Sequence, residues 1–413
     1  MDGTSGLHAW DKSLPAAADG MAATDFVATK PRLSTFSTPL LVLSSPAMDA
    51  NLDRMAAHCA EHGLALAPHG KTTMAPALWD RMLRAGAWGI TIANAAQLRV
   101  AVTFGVRRII HANALVDPVA LAWLADVQRA DAGLQVLTWV DSTGTVAAMD
   151  AALATAAPSH PIDVLVELGA PNARTGARDV ATAQAVAAAV DASPYLRLAG
   201  TAGYEGSLAH DATDASLAIV RRYLQDLAEL HGSLAVDGDS IITAGGSSFF
   251  DVVTEVLAPL AAPGTEVVLR SGAYMIHDDG FYRRISPFSR DGDAPFRSAM
   301  HAWARVISQP EPGLALLDAG KRDVPYDEGL PVPQLIADQL GAPAMPLEGE
   351  ITAVNDQHAY LRYDPATVVR VGQVVRLGLS HPCTAFDKWR WIPVIDEEDV
   401  ADPVVTELVR TYF

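Results

Sequence analysis

Eight short runs rich in β-branched and apolar residues recur along the chain, at 64–69, 89–94, 108–113, 135–141, 163–169, 198–206, 240–246 and 266–272. Between them lie segments with Ala, Leu and Val at helical spacing, such as 181–190 and 217–230. Strand alternating with helix is the pattern of a parallel sheet, because a parallel return needs a crossover that a helix supplies. Eight such units suit a (β/α)8 barrel, so an α/β TIM-type barrel over residues 37–290 is the expected architecture. A doubly wound sheet shares this periodicity, which by itself does not close a barrel. From residue 291 the texture changes to valine-rich runs broken by Pro, Gly and Asp, at 303–308, 315–318, 350–355, 359–363 and 374–379. Residues 291–413 therefore read as a smaller C-terminal antiparallel β domain. The run 39–44, within 37–45, is placed to add a strand to it, and residues 1–36 form an N-terminal extension that packs on the body or on a partner subunit.

A chain of 413 residues, half of them apolar, can bury a large core. Its formal charge of −18 repels a nucleic-acid backbone and an anionic membrane surface, so neither is expected as a partner. No apolar stretch reaches the ~18–20 residues that span a bilayer, and no basic segment followed by an apolar core opens the chain. Two cysteines, Cys59 and Cys383, cannot build a disulfide framework. A cytoplasmic protein is the expectation, with Cys59 in the core of a helix.

Chemistry-bearing residues collect where the strands of such a barrel end. The run Leu66-Ala67-Pro68-His69-Gly70-Lys71-Thr72 carries a lysine between an apolar strand and a helix read over 74–85. Burial there would draw its amine into a partly dry site, lower its pKa and free a lone pair for imine formation. The Thr243-Ala244-Gly245-Gly246-Ser247-Ser248 turn offers successive N–H groups at a helix amino terminus, which suits a phosphate. Arg270-Ser271-Gly272-Ala273-Tyr274 adds glycine and hydroxyl contacts beside it. A lysine and a phosphate cradle on one barrel bracket a flat phosphorylated aldehyde, for which pyridoxal 5'-phosphate is the natural candidate. Arg174 is placed to neutralise its phenolate oxygen, and Tyr204 to face the ring. A second constellation, His381-Pro382-Cys383, presents an imidazole and a thiol two residues apart, enough for a catalytic metal site completed by water or substrate.

In their order along the chain, Pro68-His69-Gly70-Lys71-Thr72, Asn172-Ala173-Arg174-Thr175-Gly176, Tyr204-Glu205-Gly206, Gly245-Gly246-Ser247, Leu317-Asp318-Ala319-Gly320-Lys321, Asp356-Gln357-His358 and His381-Pro382-Cys383 resemble the D-serine dehydratase and D-threonine aldolase family. The resemblance covers residues 35–395. It implies a fold type III pyridoxal-phosphate enzyme with an alanine-racemase-like barrel, and a homodimer with its site near the subunit interface. It also implies Lys71 as the imine-forming lysine, with His69 and Arg174 beside it, and His381 with Cys383 as the metal pair. Dehydratases of the family resemble this chain in carrying cysteine at the second metal position, whereas the aldolases carry aspartate and use manganese or a similar ion. Cys383 thus favours zinc, a softer match for thiolate, and dehydration. The chain departs from the family pattern at Gly70, at Thr73-Met74, at Trp389 and Trp391, and in the acidic run 396–399.

The resulting expectation is a small-molecule enzyme: a pyridoxal-phosphate and zinc-dependent dehydratase of a D-serine-like β-hydroxy amino acid, giving a keto acid and ammonia. The alternative is an aldolase giving glycine and an aldehyde. A non-catalytic pyridoxal-phosphate carrier would not need the β domain, and a racemase would not need the metal pair.

Overall fold

A computed structural model of the chain describes residues 6–290, 292 and 294–413. The first five residues of the extension, and residue 291 at the expected 290/291 boundary, lie outside the described residues. Two compact units make up the chain. One holds Met1–Arg54, Thr72–Leu78 and Ala273–Phe413, and the other holds Met55–Lys71 and Trp79–Gly272. Residues 273–290 thus fall with the first unit.

The first unit takes the strand β1 (Leu40–Ser44), described below with its partners. The second unit is the barrel. Its strands are β2 (Ala65–Leu66), β3 (Ile90–Ile92), β4 (Arg108–Ala114), β5 (Gln135–Val140), β6 (Ile162–Leu168), β7 (Leu196–Gly203), β8 (Ser240–Ala244) and β9 (Thr265–Leu269). All pair in parallel, in the order β2-β9-β8-β7-β6-β5-β4-β3. The two ends meet through a parallel bridge between His69 and Thr91, so the doubly wound alternative is ruled out. Ala67, Ile110, Leu137, Trp139, Leu165, Ala199, Ala202, Ile241 and Val268 fill the interior, as side chains must where no ligand-sized bore remains. Every residue of β6 is buried, as expected for a strand covered on both faces. Several of the helices between strands are capped by side chains, such as Asp179 on Thr182 and Thr213 on Ser216.

The segment after β2 departs from expectation. A helix was read over 74–85, but the chain forms a 3₁₀ turn at Gly70–Thr72, Met74 takes a left-handed backbone with φ 41°, and the helix spans Pro76–Arg84. Pro76 explains the shift: it disfavours a helical conformation in the residue before it and is tolerated in the first turn of a helix. Gly70 is set by Trp79, whose indole Nε1 donates to Gly70 O at 3.2 Å. A Cβ on residue 70 would lie 2.9 Å from the Trp79 ring and 2.8 Å from Ile90 Cγ2.

The first unit is built on a ten-stranded sheet. Its further strands are β10 (Met300–Glu311), β11 (Leu314–Leu317), β12 (Val332–Ala337), β13 (Met345–Pro346), β14 (Glu350–Val354), β15 (Ala359–Arg362), β16 (Val374–Gly378), β17 (Trp391–Ile395) and β18 (Val405–Arg410). The main path runs β13-β12-β16-β10-β1-β17-β18, with β11, β15 and β14 branching from β10. Pairing is antiparallel except between β1 and β17, because β1 enters from the amino-terminal side of the chain. Part of the extension packs on this same unit: Leu7, Leu14, Ala18, Phe26, Leu33 and Phe36 share a core with Trp391, Val405 and Leu408. Each such buried apolar side chain contributes about 1.5–3 kcal/mol, which anchors a segment with little secondary structure of its own.

Gly70→Val should destabilise the barrel unit by about 1–3 kcal/mol, the cost of overpacking against Trp79. In urea unfolding, Gly70→Val combined with Trp79→Leu should recover part of that loss; an unchanged midpoint for Gly70→Val alone would show that the ring yields freely.

Candidate active site

Of the residues singled out in the sequence, His69, Lys71, Arg174, Tyr204, Gly245, Gly246, Ser247, Ser271 and Gly272 fall in the barrel unit, and Tyr274, His381 and Cys383 in the other. Lys71 lies in the turn Gly70–Thr72 and is exposed. The expected burial of its amine is not found, since β2 stops at Leu66 and the turn carries Lys71 beyond the paired strand ends. His69 is half-buried and donates its backbone N–H to Arg270 O at 3.2 Å. Burial first, then the cations of Lys71, Arg270 and Arg174, hold its imidazole well below the usual histidine range. The ring is therefore neutral at pH 7, and its Nδ1 is buried with no hydrogen-bond partner. Arg174 is exposed, with its guanidinium 4.7 Å from the centre of the Tyr204 ring.

Beneath these groups lies a buried polar layer that sequence reading did not assign. Arg270 is buried; its guanidinium donates to Thr243 Oγ1 at 2.6 Å and to Gly203 O at 2.5 Å, and it lies 5.1 Å from the Trp139 ring centre. Glu167, at the end of β6, is pushed up to about 7 chiefly by burial, against a hydrogen bond from Thr175 Oγ1 at 2.8 Å. Glu205 is fully buried and accepts the N–H groups of Gly245 at 3.0 Å and Gly246 at 2.6 Å. The two glycine amides therefore hold the chain's own carboxylate, and their expected part in a phosphate cradle is revised. The motif Tyr204-Glu205-Gly206 was visible in the sequence, but nothing local indicated that Glu205 turns inward.

Space for a side chain is short at Gly246 and absent at Gly272. A Cβ on Gly246 would lie 3.1 Å from the Tyr204 ring, and one on Gly272 would lie 2.6 Å from Cβ and O of His69. Ser271 is buried and donates its hydroxyl to Gly246 O at 3.0 Å, tying the ends of β8 and β9 together. A primary amine, two guanidinium groups, a neutral imidazole with an unmet nitrogen and an aromatic face form a set that fits pyridoxal phosphate. Tyr274 is buried and packs on Phe296, with ring centres 6.1 Å apart.

In the other unit, β16 leads into Ser380, His381 and the short helix Pro382–Phe386. His381 has a left-handed backbone (φ 56°, ψ 88°), and its N–H donates to Asp278 Oδ2 at 2.9 Å. Its Nδ1 lies 2.5 Å from Asp327 Oδ2. Burial would lower the imidazole, but contacts with Cys383 and then Asp327 outweigh it and lift His381 to about 9. Cys383 Sγ lies 3.4 Å from Oγ1 of Thr72, the residue that follows Lys71 in the chain. An imidazole and a thiol brought into contact form a donor pair that fits zinc, with the remaining positions left to water or substrate. Asp327 was missed in the sequence; it lies 54 residues before His381, and no spacing rule links them.

These features can be set beside known proteins. Residues 299–395 match the family model described as "Putative serine dehydratase domain". A D-threonine aldolase of Arthrobacter sp is 30% identical over 376 residues, covering 90% of this chain and 92% of that protein. Among solved structures, D-threonine aldolase from Filomicrobium marinum is similar with a TM-score of 0.75 at 25% identity, covering 92% of this chain and 96% of that one. D-threo-3-hydroxyaspartate dehydratase from Delftia sp. HT23 shares the fold with a TM-score of 0.71 at 20% identity, covering 91% and 98%. Sequence identity sustained over nine-tenths of both chains, on a barrel and β unit of the same architecture, places the chain in the D-serine dehydratase and D-threonine aldolase family.

Proposed function

We propose that the protein is a pyridoxal-phosphate and zinc-dependent lyase that eliminates water from a D-β-hydroxy amino acid of the D-serine type, after which hydrolysis of the dehydrated product takes up water and gives a keto acid and ammonia. The observation that carries this reading is the His381–Cys383 pair, held against the residue next to Lys71 in sequence. A thiolate donor suits zinc better than manganese. Pyridoxal phosphate, when bound, supplies an electron sink for charge developing at the substrate's Cα. Zinc, when bound, supplies a Lewis acid for the β-oxygen.

The chain's own groups then take distinct parts. Lys71 Nζ holds the cofactor and serves as the base that accepts the Cα proton. Arg174 sets a cation against the phenolate, with the Tyr204 ring as its support. His69, kept neutral, offers Nδ1 as an acceptor. Burial favours the protonated form of Glu167 up to about pH 7, so its own carboxyl adds little negative charge to the buried layer below that pH. His381 and Cys383 hold the metal. A homodimer is the assembly proposed with this reading.

A second reading is favoured by the D-threonine aldolase that is 30% identical to this chain. In it a base removes the β-hydroxyl proton and the Cα–Cβ bond breaks, giving glycine and an aldehyde.

Incubating the protein with pyridoxal phosphate, zinc or manganese and a panel of D-β-hydroxy amino acids, with product identification by mass, separates the two. Keto acid with ammonia is the expected outcome; glycine with an aldehyde establishes the aldolase, and no turnover of any D isomer rejects both. Lys71→Ala should lose the visible absorbance of lysine-attached pyridoxal phosphate and at least about 10³-fold in turnover, the scale on which positioned bases and nucleophiles act; a retained band refutes the lysine assignment. Glu167 has its own signature. Its carboxyl titrates near 4.5 when unfolded and about 7 when folded. Between these values only the unfolded chain gives up the proton, so stability falls as pH rises through that window and levels off above it. In urea unfolding of cofactor-free protein, Glu167→Gln should flatten this slope, gaining on the order of 3 kcal/mol relative to wild type from pH 4.5 to pH 8; parallel pH profiles would show that Glu167 ionises normally.

A further inference from the structure

We infer that Asp327 is the positioning residue of the metal site: it fixes the tautomer and direction of the His381 ring, and Thr384 in turn fixes Asp327. The inference rests on the metal reading of His381 and Cys383 proposed above and names a residue that reading does not contain.

The geometry is a chain of three held groups. His381 Nδ1–H donates to Asp327 Oδ2 at 2.5 Å. With Nδ1 held by Asp327, Nε2 is the nitrogen left to meet a metal, which takes the place of its proton. The other carboxylate oxygen, Oδ1, accepts the Thr384 hydroxyl at 2.7 Å. Both oxygens of Asp327 are thus used, and the carboxylate cannot rotate away without breaking one bond or the other.

The backbone around this chain is pinned as well. Ser380 Oγ donates to Gly329 O at 2.7 Å, tying the loop that carries Asp327 to the residue before His381. Asp278 receives the His381 N–H on one oxygen and the N–H groups of Gly280 and Tyr282 on the other. These bonds hold His381 in a left-handed conformation that is uncommon for residues other than glycine. That conformation starts the helix Pro382–Phe386 and sets Cys383 in its first turn, where His381 and Cys383 reach each other.

Two simpler accounts of Asp327 fit less well. As a direct third ligand it would form a cluster of three donors with His381 and Cys383, yet among the described residues no group of three or more His, Cys, Asp or Glu side chains is placed to hold an ion. As an ordinary surface ion pair it would not need Thr384 on its second oxygen, nor would its partner need Asp278 on its backbone N–H.

Cobalt(II) serves as the probe, since its thiolate complexes absorb in the near ultraviolet and its affinity can be set against a chelator. Wild-type protein should bind one cobalt per chain with that absorbance, and Cys383→Ala should lose it. Asp327→Ala should bind cobalt 10–100-fold more weakly, the range in which outer-shell carboxylates act, while its thermal unfolding stays close to wild type. Asp327→Asn, which keeps an acceptor for Nδ1 without the charge, should fall between the two. Thr384→Val, with both metal donors and Asp327 intact, should show a smaller weakening in the same direction and covers the case in which Asp327→Ala fails to fold. Wild-type affinity in both Asp327 variants, or in Thr384→Val where Asp327→Ala is unfolded, overturns the inference and leaves the metal site standing. No cobalt binding by wild-type protein overturns the metal reading and the inference together.

Discussion

Thr91 holds the barrel closed at its weakest seam. Strand β2 has only two residues, too few to pair fully on both sides, yet the sheet must join β9 to β3 across it. Thr91 donates its N–H to Pro68 O at 2.9 Å and its hydroxyl to Ala67 O at 2.6 Å, while Ala67 N–H reaches Leu269 O at 2.8 Å on the other side. A proline sits in this seam without loss, because the bond made there uses its carbonyl and not the N–H it lacks. The turn that carries Lys71 starts directly after these bonds, so the position of the lysine is inherited from barrel closure.

Charge buried at the mouth of the barrel is the second constraint. Arg270, Glu205 and Glu167 are all buried, and an unpaired charge there would be very costly. The protein meets the cost with short polar contacts: Arg270 on Thr243 and Gly203, Glu205 on two glycine amides, and Thr175 on a Glu167 whose protonated form burial favours. Each partner is a backbone group or hydroxyl fixed by the strands, which makes the layer rigid. A rigid floor keeps the groups above it from relaxing toward solvent-like arrangements.

The β unit solves a different problem with the same means. His381 and Cys383 follow β16, a strand paired on both sides, at a point beyond the ladder where no strand neighbour fixes the backbone. Carboxylates do that work: Asp278 on the backbone of His381 and Asp327 on its ring. The acidic surplus of the chain thus includes carboxylates with defined internal acceptor roles, which a formal charge of −18 does not reveal.

Strand–helix alternation was legible in the residue pattern because a parallel strand, buried on both faces, has little choice but Val, Ile and Leu, and a crossover helix little choice but 3.6-residue spacing. Lys71, Arg174, His381 and Cys383 could be picked out because each stands in a short run whose chemistry is local. The exposure of Lys71, the inward turn of Glu205 onto Gly245 and Gly246, and the pairing of Asp327 with His381 could not. Each depends on residues 40 or more positions apart, or on where a strand stops pairing, and neither has a signature in composition or periodicity. Sequence by itself determined the kinds of element and the reactive residue types, since these follow from burial and side-chain chemistry one segment at a time. Which amides meet which carboxylate, and which carboxylate meets the ring of His381, was decided only by the tertiary structure, because a hydrogen bond is set by distances of a few tenths of an ångström that the folded chain alone establishes.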